Sequence, residues 1–198
     1  MPFEYRKEQI EMARFISDRL SNNEHGVIEA GTGTGKTIAY LVPAIMYAID
    51  NDKVLAVSTE TKALQNQLIR KDIPLARLVL NEIGYSFSFS VCYGSSNYAC
   101  RRRCEALLAA GSFTSEDTAS IESIYPLFNS RSSFNRFDVR CSTSFWKKIA
   151  REPDICIGRD CAFFNICAFQ KARKEWSSSN ILVMNHHLFF TNLAMAKT

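Results

Sequence analysis

Between Glu29 and Thr37 the chain reads EAGTGTGKT. No other stretch limits the possible folds so tightly. Gly31, Gly33 and Gly35 let the backbone turn sharply and aim successive N–H groups at one point. A short apolar run (GVIEA, 26–30) precedes the turn and reads as a strand; a long apolar run follows and reads as a helix. Strand, glycine turn, helix is the setting of a phosphate-binding loop, because the helix N-terminus adds its positive dipole end. Lys36 is then placed to reach β- and γ-phosphates, and Thr37 to hold Mg²⁺ by its hydroxyl. Ala30 stands where the generic pattern begins with glycine. The expected cofactor-binding run is Ala30, Gly31, Thr32, Gly33, Thr34, Gly35, Lys36 and Thr37, with Lys36 and Thr37 catalytic and ATP with Mg²⁺ as cofactors.

The rest of the chain supports an α/β fold with a parallel sheet. Ile10, Ala13, Ile16 and Leu20 share one face of a helix over Glu8–Leu20, and a turn follows at Asn22–Gly26. The helix after the glycine loop runs to Ile49, is apolar all round and so should be buried, and contains Pro43, which should kink it. KVLAVST (53–59) reads as a second strand. TKALQNQLIRKDI reads as an amphipathic helix that ends before Pro74. FSFSVCY (87–93) and NILVMN (180–185) read as further strands. Strands alternating with helices argue for a parallel sheet covered by helices. Gly94 to Ser179 breaks the rhythm and reads as an insertion, so the expected organisation is 1–93, an insertion at 94–179, and a return at 180–198.

Net charge is +4, but it is unevenly placed. Arg131 to Glu175 holds ten Lys/Arg and five Asp/Glu, so the remainder is slightly acidic. The N-terminus has no secretory pattern, and no apolar run is long enough to span a membrane. Seven cysteines in such a chain point to reduced thiols in the cytoplasm or to a metal site, not to a disulfide framework. Cys156, Cys161 and Cys167 are separated by four and five residues, and Cys100 stands upstream. Four thiolates from two segments suit zinc or an iron–sulfur cluster. Zinc ribbons favour tighter pairs, so the wide gaps lean towards a cuboid cluster. Cys92 and Cys141 read as small buried side chains. Cys104, one helical turn after Cys100, is a spare ligand.

Taken together these stretches resemble the DinG/XPD-type iron–sulfur DNA helicases of superfamily 2, and are most similar to the bacterial DinG-like branch. VIEAGTGTGKTIAYLVPAI is similar to that family's Walker A strand, loop and helix, in which alanine is frequent at the position of Ala30. VSTETKALQNQLIRKDIP resembles its motif Ia. GSSNYACRRR and CIGRDCAFFNICAFQKAR resemble the two halves of its cluster domain, and NILVMNHHLFF the return to the motor. The resemblance implies an incomplete P-loop (RecA-like) motor domain with an inserted, mostly helical iron–sulfur domain. It implies that Cys100, Cys156, Cys161 and Cys167 hold a 4Fe-4S cluster, and that Arg6 and Gln9 belong to an adenine-sensing element. It places Thr59 and Gln65 towards single-stranded DNA. Charge around the cysteines makes Arg101, Arg102, Lys147 and Lys148 candidate DNA contacts, with a merely solvated face as the other reading of Arg101 to Arg103. The implied activity is 5′–3′ translocation and unwinding driven by ATP, on single-stranded and forked DNA. Phe145, Trp146, Phe163 and Phe164 either stack on bases or wrap the cluster. His186 and His187 match the family without a metal role.

A P-loop motor also needs an acidic pair after an apolar strand. No apolar run here ends in Asp-Glu, and TSEDTASIE is too polar. The chain therefore reads as the N-terminal piece of a longer helicase, working with a remaining C-terminal portion, and alone it should bind nucleotide poorly and hydrolyse almost no ATP. The alternative is a non-hydrolysing single-stranded-DNA-binding module or a redox sensor. In either case the cluster should fasten a loop-rich insertion without a large core, which Cys156→Ser would then unfold.

Overall fold

A computed structural model describes residues 5–31, 35–111 and 114–196. The chain divides into two compact units, one within residues 1–91 and 179–198 and one at 92–178.

The first unit is built on a parallel sheet of β1 (Leu55–Thr59), β2 (Phe89–Val91) and β3 (Ile181–Asn185), in the order β1-β3-β2. Val57, Val183 and Val91 share a row across the sheet. β3 is central and almost continuously apolar, with Ile181, Val183 and Met184 buried, as expected of a parallel strand covered by other elements. α1 (Lys7–Ser21) packs on α2 (Lys36–Asp50). α2 buries Ala39, Leu41, Ala44, Ile45 and Ala48, while its other residues from Ile38 to Ile49 are half-buried. Pro43 lies inside α2, which continues past it to Asp50. Leu41 and Ile45 meet Val57, Ile73, Leu80, Ile181 and Val183 in one core.

Two expectations are corrected here. Residues 26–30 form no strand. A strand persists only when its N–H and C=O groups find a ladder partner, and these residues pair with none of the three; Val27 is 98% exposed. The helix after β1 does not stop before Pro74. α3 (Lys62–Gln67) runs into a wide π-turn at Leu68–Asp72, closed by the Ile73 N–H on the Leu68 carbonyl, and α4 (Ile73–Glu82) follows directly. Proline is tolerated because it lies in the first turn of α4, just past the point where the ordinary ladder has already been interrupted.

The second unit contains α5 (Arg101–Ala110), α6 (Ser115–Phe128), α7 (Thr143–Ile149) and α8 (Ala168–Ser177). α6 opens on a capping box in which Thr114 and Asp117 satisfy each other's backbone N–H groups. This unit has a substantial core, against the expectation from sequence. Tyr98, Ile124, Phe128, Phe145, Trp146 and Ile149 are buried together, and half-buried aromatics surround them. Phe145 and Trp146 are 1% and 6% exposed, and the indole Nε1 donates to the Ser96 carbonyl at 2.9 Å, so neither ring is presented to a base.

The β3 strand leads into α9 (His186–Ala196) of the first unit. Among the described residues no helix is long and apolar enough to cross a membrane.

Candidate functional site

Each unit carries a site. In the first, the glycine loop ends at Gly35, in the left-handed region at φ 72°, just before α2. A Cβ there would lie 2.6 Å from Gln9 Nε2, which donates to the Gly35 carbonyl at 3.2 Å. α1 thus brings Gln9 to the loop. Arg6 is exposed at the start of α1, where its carbonyl accepts from the Ile10 N–H at 3.3 Å. Lys36 Nζ donates to the Ala30 carbonyl at 2.8 Å and is exposed, so its ammonium spans the loop it would release on meeting phosphate. Thr32, Gly33 and Thr34 lie outside the described residues. Gly35→Ala is expected to lower the affinity for Mg·ATP at least tenfold. It adds left-handed strain of about 1–2 kcal/mol and displaces Gln9. Titration with a fluorescent nucleotide checks this; unchanged affinity would show that the loop needs neither the backbone angle nor Gln9.

Thr37 lines a pocket with Ser58, Thr59, Glu60, Asp72 and His186. The pocket lies beyond the carboxyl ends of β1 and β3, where open parallel sheets take their ligands. Ser58 Oγ and His186 Nδ1 are 2.6 Å apart, which ties the ends of the two strands together. Asp72 is buried and accepts from Gln67 Nε2 at 3.3 Å. Sequence reading missed Ser58 and Asp72, since an isolated serine or aspartate carries no spacing signal. Gln65 is 4% exposed, so its side chain is turned away from solvent. Thr59 remains half-buried at the pocket.

In the second unit Cys100, Cys156, Cys161 and Cys167 all line one cavity. Residues 98–100 run antiparallel to 149–151, joined by Cys100 N–H on the Ile149 carbonyl (2.7 Å) and Arg151 N–H on the Tyr98 carbonyl (2.8 Å). That pairing brings the upstream cysteine to the downstream segment. Gly158, left-handed at φ 61°, then turns the chain between Cys156 and Cys161. The Gly158 N–H lowers the Cys156 thiol below its ordinary range, and Arg151 and Arg102 assist. Burial pushes the Cys167 thiol up, against the pull of the Gln170 and Phe169 N–H groups at the start of α8. Among the described residues no three His, Cys, Asp or Glu are gathered closely enough for a single metal ion. Cys92 and Cys104 are buried apolar groups whose thiols are pushed up to about 12. Cys104 packs into the core of its unit, and burial also raises the half-buried Cys141.

The basic residues sort differently from the sequence expectation. Arg101 is largely consumed internally, pairing with Glu105 at 2.7 Å and lying 3.5 Å from the Tyr125 ring centroid. Arg102 donates to the Ile155 carbonyl. Lys148 pairs with Asp117 at 2.8 Å. Lys147, Arg159, Arg173 and Lys174 are exposed, and among the described residues their side chains make no ion pair.

Residues 9–103 match the DEAD/DEAH box helicase family. The ATP-dependent DNA helicase YoaA of Haemophilus influenzae is 32% identical over 99% of this chain and 30% of its own length. YoaA of Escherichia coli is 31% identical, again over 99% of this chain and 30% of the relative. The ATP-dependent DNA helicase DinG of Salmonella typhimurium is 29% identical over 92% of this chain and 28% of its own length. The chain thus spans less than a third of these relatives. Residues 9–103 thus match a DEAD/DEAH helicase domain, and over essentially its whole length the chain is homologous to the YoaA and DinG ATP-dependent DNA helicases.

Proposed function

We propose that this chain is the nucleotide-gripping and cluster-bearing portion of an ATP-dependent 5′–3′ DNA helicase, acting on single-stranded and forked DNA with the remaining C-terminal helicase portion as partner. One observation carries the reading: four cysteines from two distant segments surround a single cavity in a chain that also holds a phosphate loop.

The donor set fits a 4Fe-4S cluster held by Cys100, Cys156, Cys161 and Cys167. Four cysteines lining one cavity are the all-thiolate donor set such a cluster takes. Bound there, the cluster would supply a rigid cross-link between the two segments and a one-electron redox centre.

The chain's own residues divide the work. Lys36 leaves the Ala30 carbonyl to reach the β- and γ-phosphates. Thr37 offers its hydroxyl to Mg²⁺ in the pocket at the strand ends, and Gln9 fixes the loop's exit while reading the nucleotide together with Arg6. Lys147, Arg159, Arg173 and Lys174 attract the phosphates of single-stranded DNA without reading sequence, which makes that affinity fall steeply with salt.

Iron, acid-labile sulfide and zinc content of anaerobically purified protein test the reading. Iron and sulfide in equal amounts, near four of each per chain in a fully loaded sample, are expected. Colourless protein holding zinc alone would overturn it.

A further inference from the structure

Three guanidiniums line the cysteine cavity, those of Arg102, Arg103 and Arg151. Two are occupied elsewhere. Arg102 donates to the Ile155 carbonyl. Arg103 donates to the Ala150 and Lys147 carbonyls at 2.6 and 3.0 Å and pairs with Glu152. Arg151 makes no ion pair among the described residues. Its main chain is fixed on Tyr98, and its guanidinium lies 4.4 Å from the Phe169 ring centroid. Both Arg151 and Cys156 line the cavity, and the positive guanidinium helps to hold the Cys156 thiol below its ordinary range. Its Nε–H is buried and has no hydrogen-bond partner among the described residues. A buried donor left unmade is costly; Arg19 Nε, Gln65 Nε2 and Arg77 Nε share this condition elsewhere, and among the described residues only Arg151 has it at the cysteine cavity. A cation held rigidly beside thiol ligands, with a donor to spare, calls for an anionic acceptor in the cavity.

We propose that Arg151 is a tuning residue for a cluster held by Cys100, Cys156, Cys161 and Cys167, a fixed cation with a spare Nε–H donor that favours the reduced state. The proposal rests on the cluster reading given above. Reduction takes one electron from an external reductant, dithionite in the assay, and adds one negative charge. All four iron–thiolate bonds are kept and no proton is required. Net charge and hydrogen bonds to sulfur are two of the main determinants of such potentials. A guanidinium at this place therefore stabilises the more negative state.

The test measures the midpoint potential of the whole chain, purified anaerobically and titrated with dithionite under electron paramagnetic resonance. Arg151→Gln is expected to shift the equilibrium at least tenfold towards the oxidised form, about 59 mV more negative for one electron. Arg151→Lys keeps the charge but loses the planar fork, so it should shift less in the same direction. Arg140→Gln, an exposed cation in the same unit, should leave the potential unchanged. If Arg151→Gln holds no iron, the lysine variant is read instead; a shift supports the proposal and no shift overturns it. A loaded Arg151→Gln within twofold of the unsubstituted chain overturns it. So does loss of iron from both Arg151 variants while Arg140→Gln is loaded, because tuning leaves ligation intact. Absence of iron and sulfide from the unsubstituted chain refutes the cluster reading itself, and this proposal with it.

Discussion

Cys156→Ser is expected to leave the chain with less than a tenth of its iron and sulfide while α5 to α8 stay folded. The ligand is the thiolate, which serine cannot supply at neutral pH. Local consequences follow from burial. Between Arg151 and Cys167 no residue is buried, so this segment has little apolar surface holding it in place. Its order depends on turns such as the one at Gly158 and on whatever the four sulfurs bind. The helices around it have their own core, centred on Phe128, Phe145 and Ile149. Amide exchange should therefore accelerate within residues 151–167 and stay slow in α5, α6 and α8. Full iron content in the variant would remove Cys156 from the ligand set. Fast exchange throughout residues 92–178 would restore the idea that the cluster alone holds the unit together.

Phe128→Ala is expected to do the opposite, collapsing the helical unit from its centre. Phe128 is 0% exposed, and its ring meets Phe134 edge-on at 5.1 Å and Tyr125 at 6.5 Å. Its carbonyl also accepts from Lys171 Nζ at 2.7 Å, which ties α6 to α8. Truncating a buried phenylalanine costs about 3–5 kcal/mol, against a total of roughly 5–15 kcal/mol for a typical domain. Denaturant unfolding followed by Trp146 and Trp176 fluorescence should show the loss, with slow exchange kept in β1 and β3. A loss below about 1 kcal/mol would mean that the site refills with side chains from its neighbours, a degree of collapse that varies widely between sites.

How much of this is legible in the sequence depends on how local the cause is. β1 and β3 were legible because branched apolar runs between turn residues have few other uses. α2 was legible from its position after the glycine loop. The missing strand at 26–30 was not, since an apolar run records a wish to be paired and says nothing about whether a partner is present. The cysteines showed the same limit. Spacing picked out Cys156, Cys161 and Cys167, but only the pairing of 98–100 with 149–151 explains why Cys100 reaches their cavity and Cys104, one turn on, packs into the core instead. Charge was the least legible property. Arg101, Arg102 and Arg103 sit in a row that looks like an open basic face, yet Glu105, Tyr125 and several carbonyls claim them. Arg151 had no signal at all, because its importance comes from two segments meeting.

The wide turn between α3 and α4 has a consequence for how this segment can change. Its buried apolar residues step from Leu68 to Ile73 by five, then to Ala76 and Leu80 by three and four, with Asp72 buried beside Ile73. One extra residue has been taken up without rotating the inward stripe. Deleting that residue alone would leave Pro74 in an unbroken α-helix, its ring against the carbonyl four positions back, at about 3 kcal/mol or more. Replacing Pro74 alone would leave a loosened turn with nothing to accommodate. Length and proline are thus locked to each other here, so descendants of this sequence can shed the pair far more readily than either member.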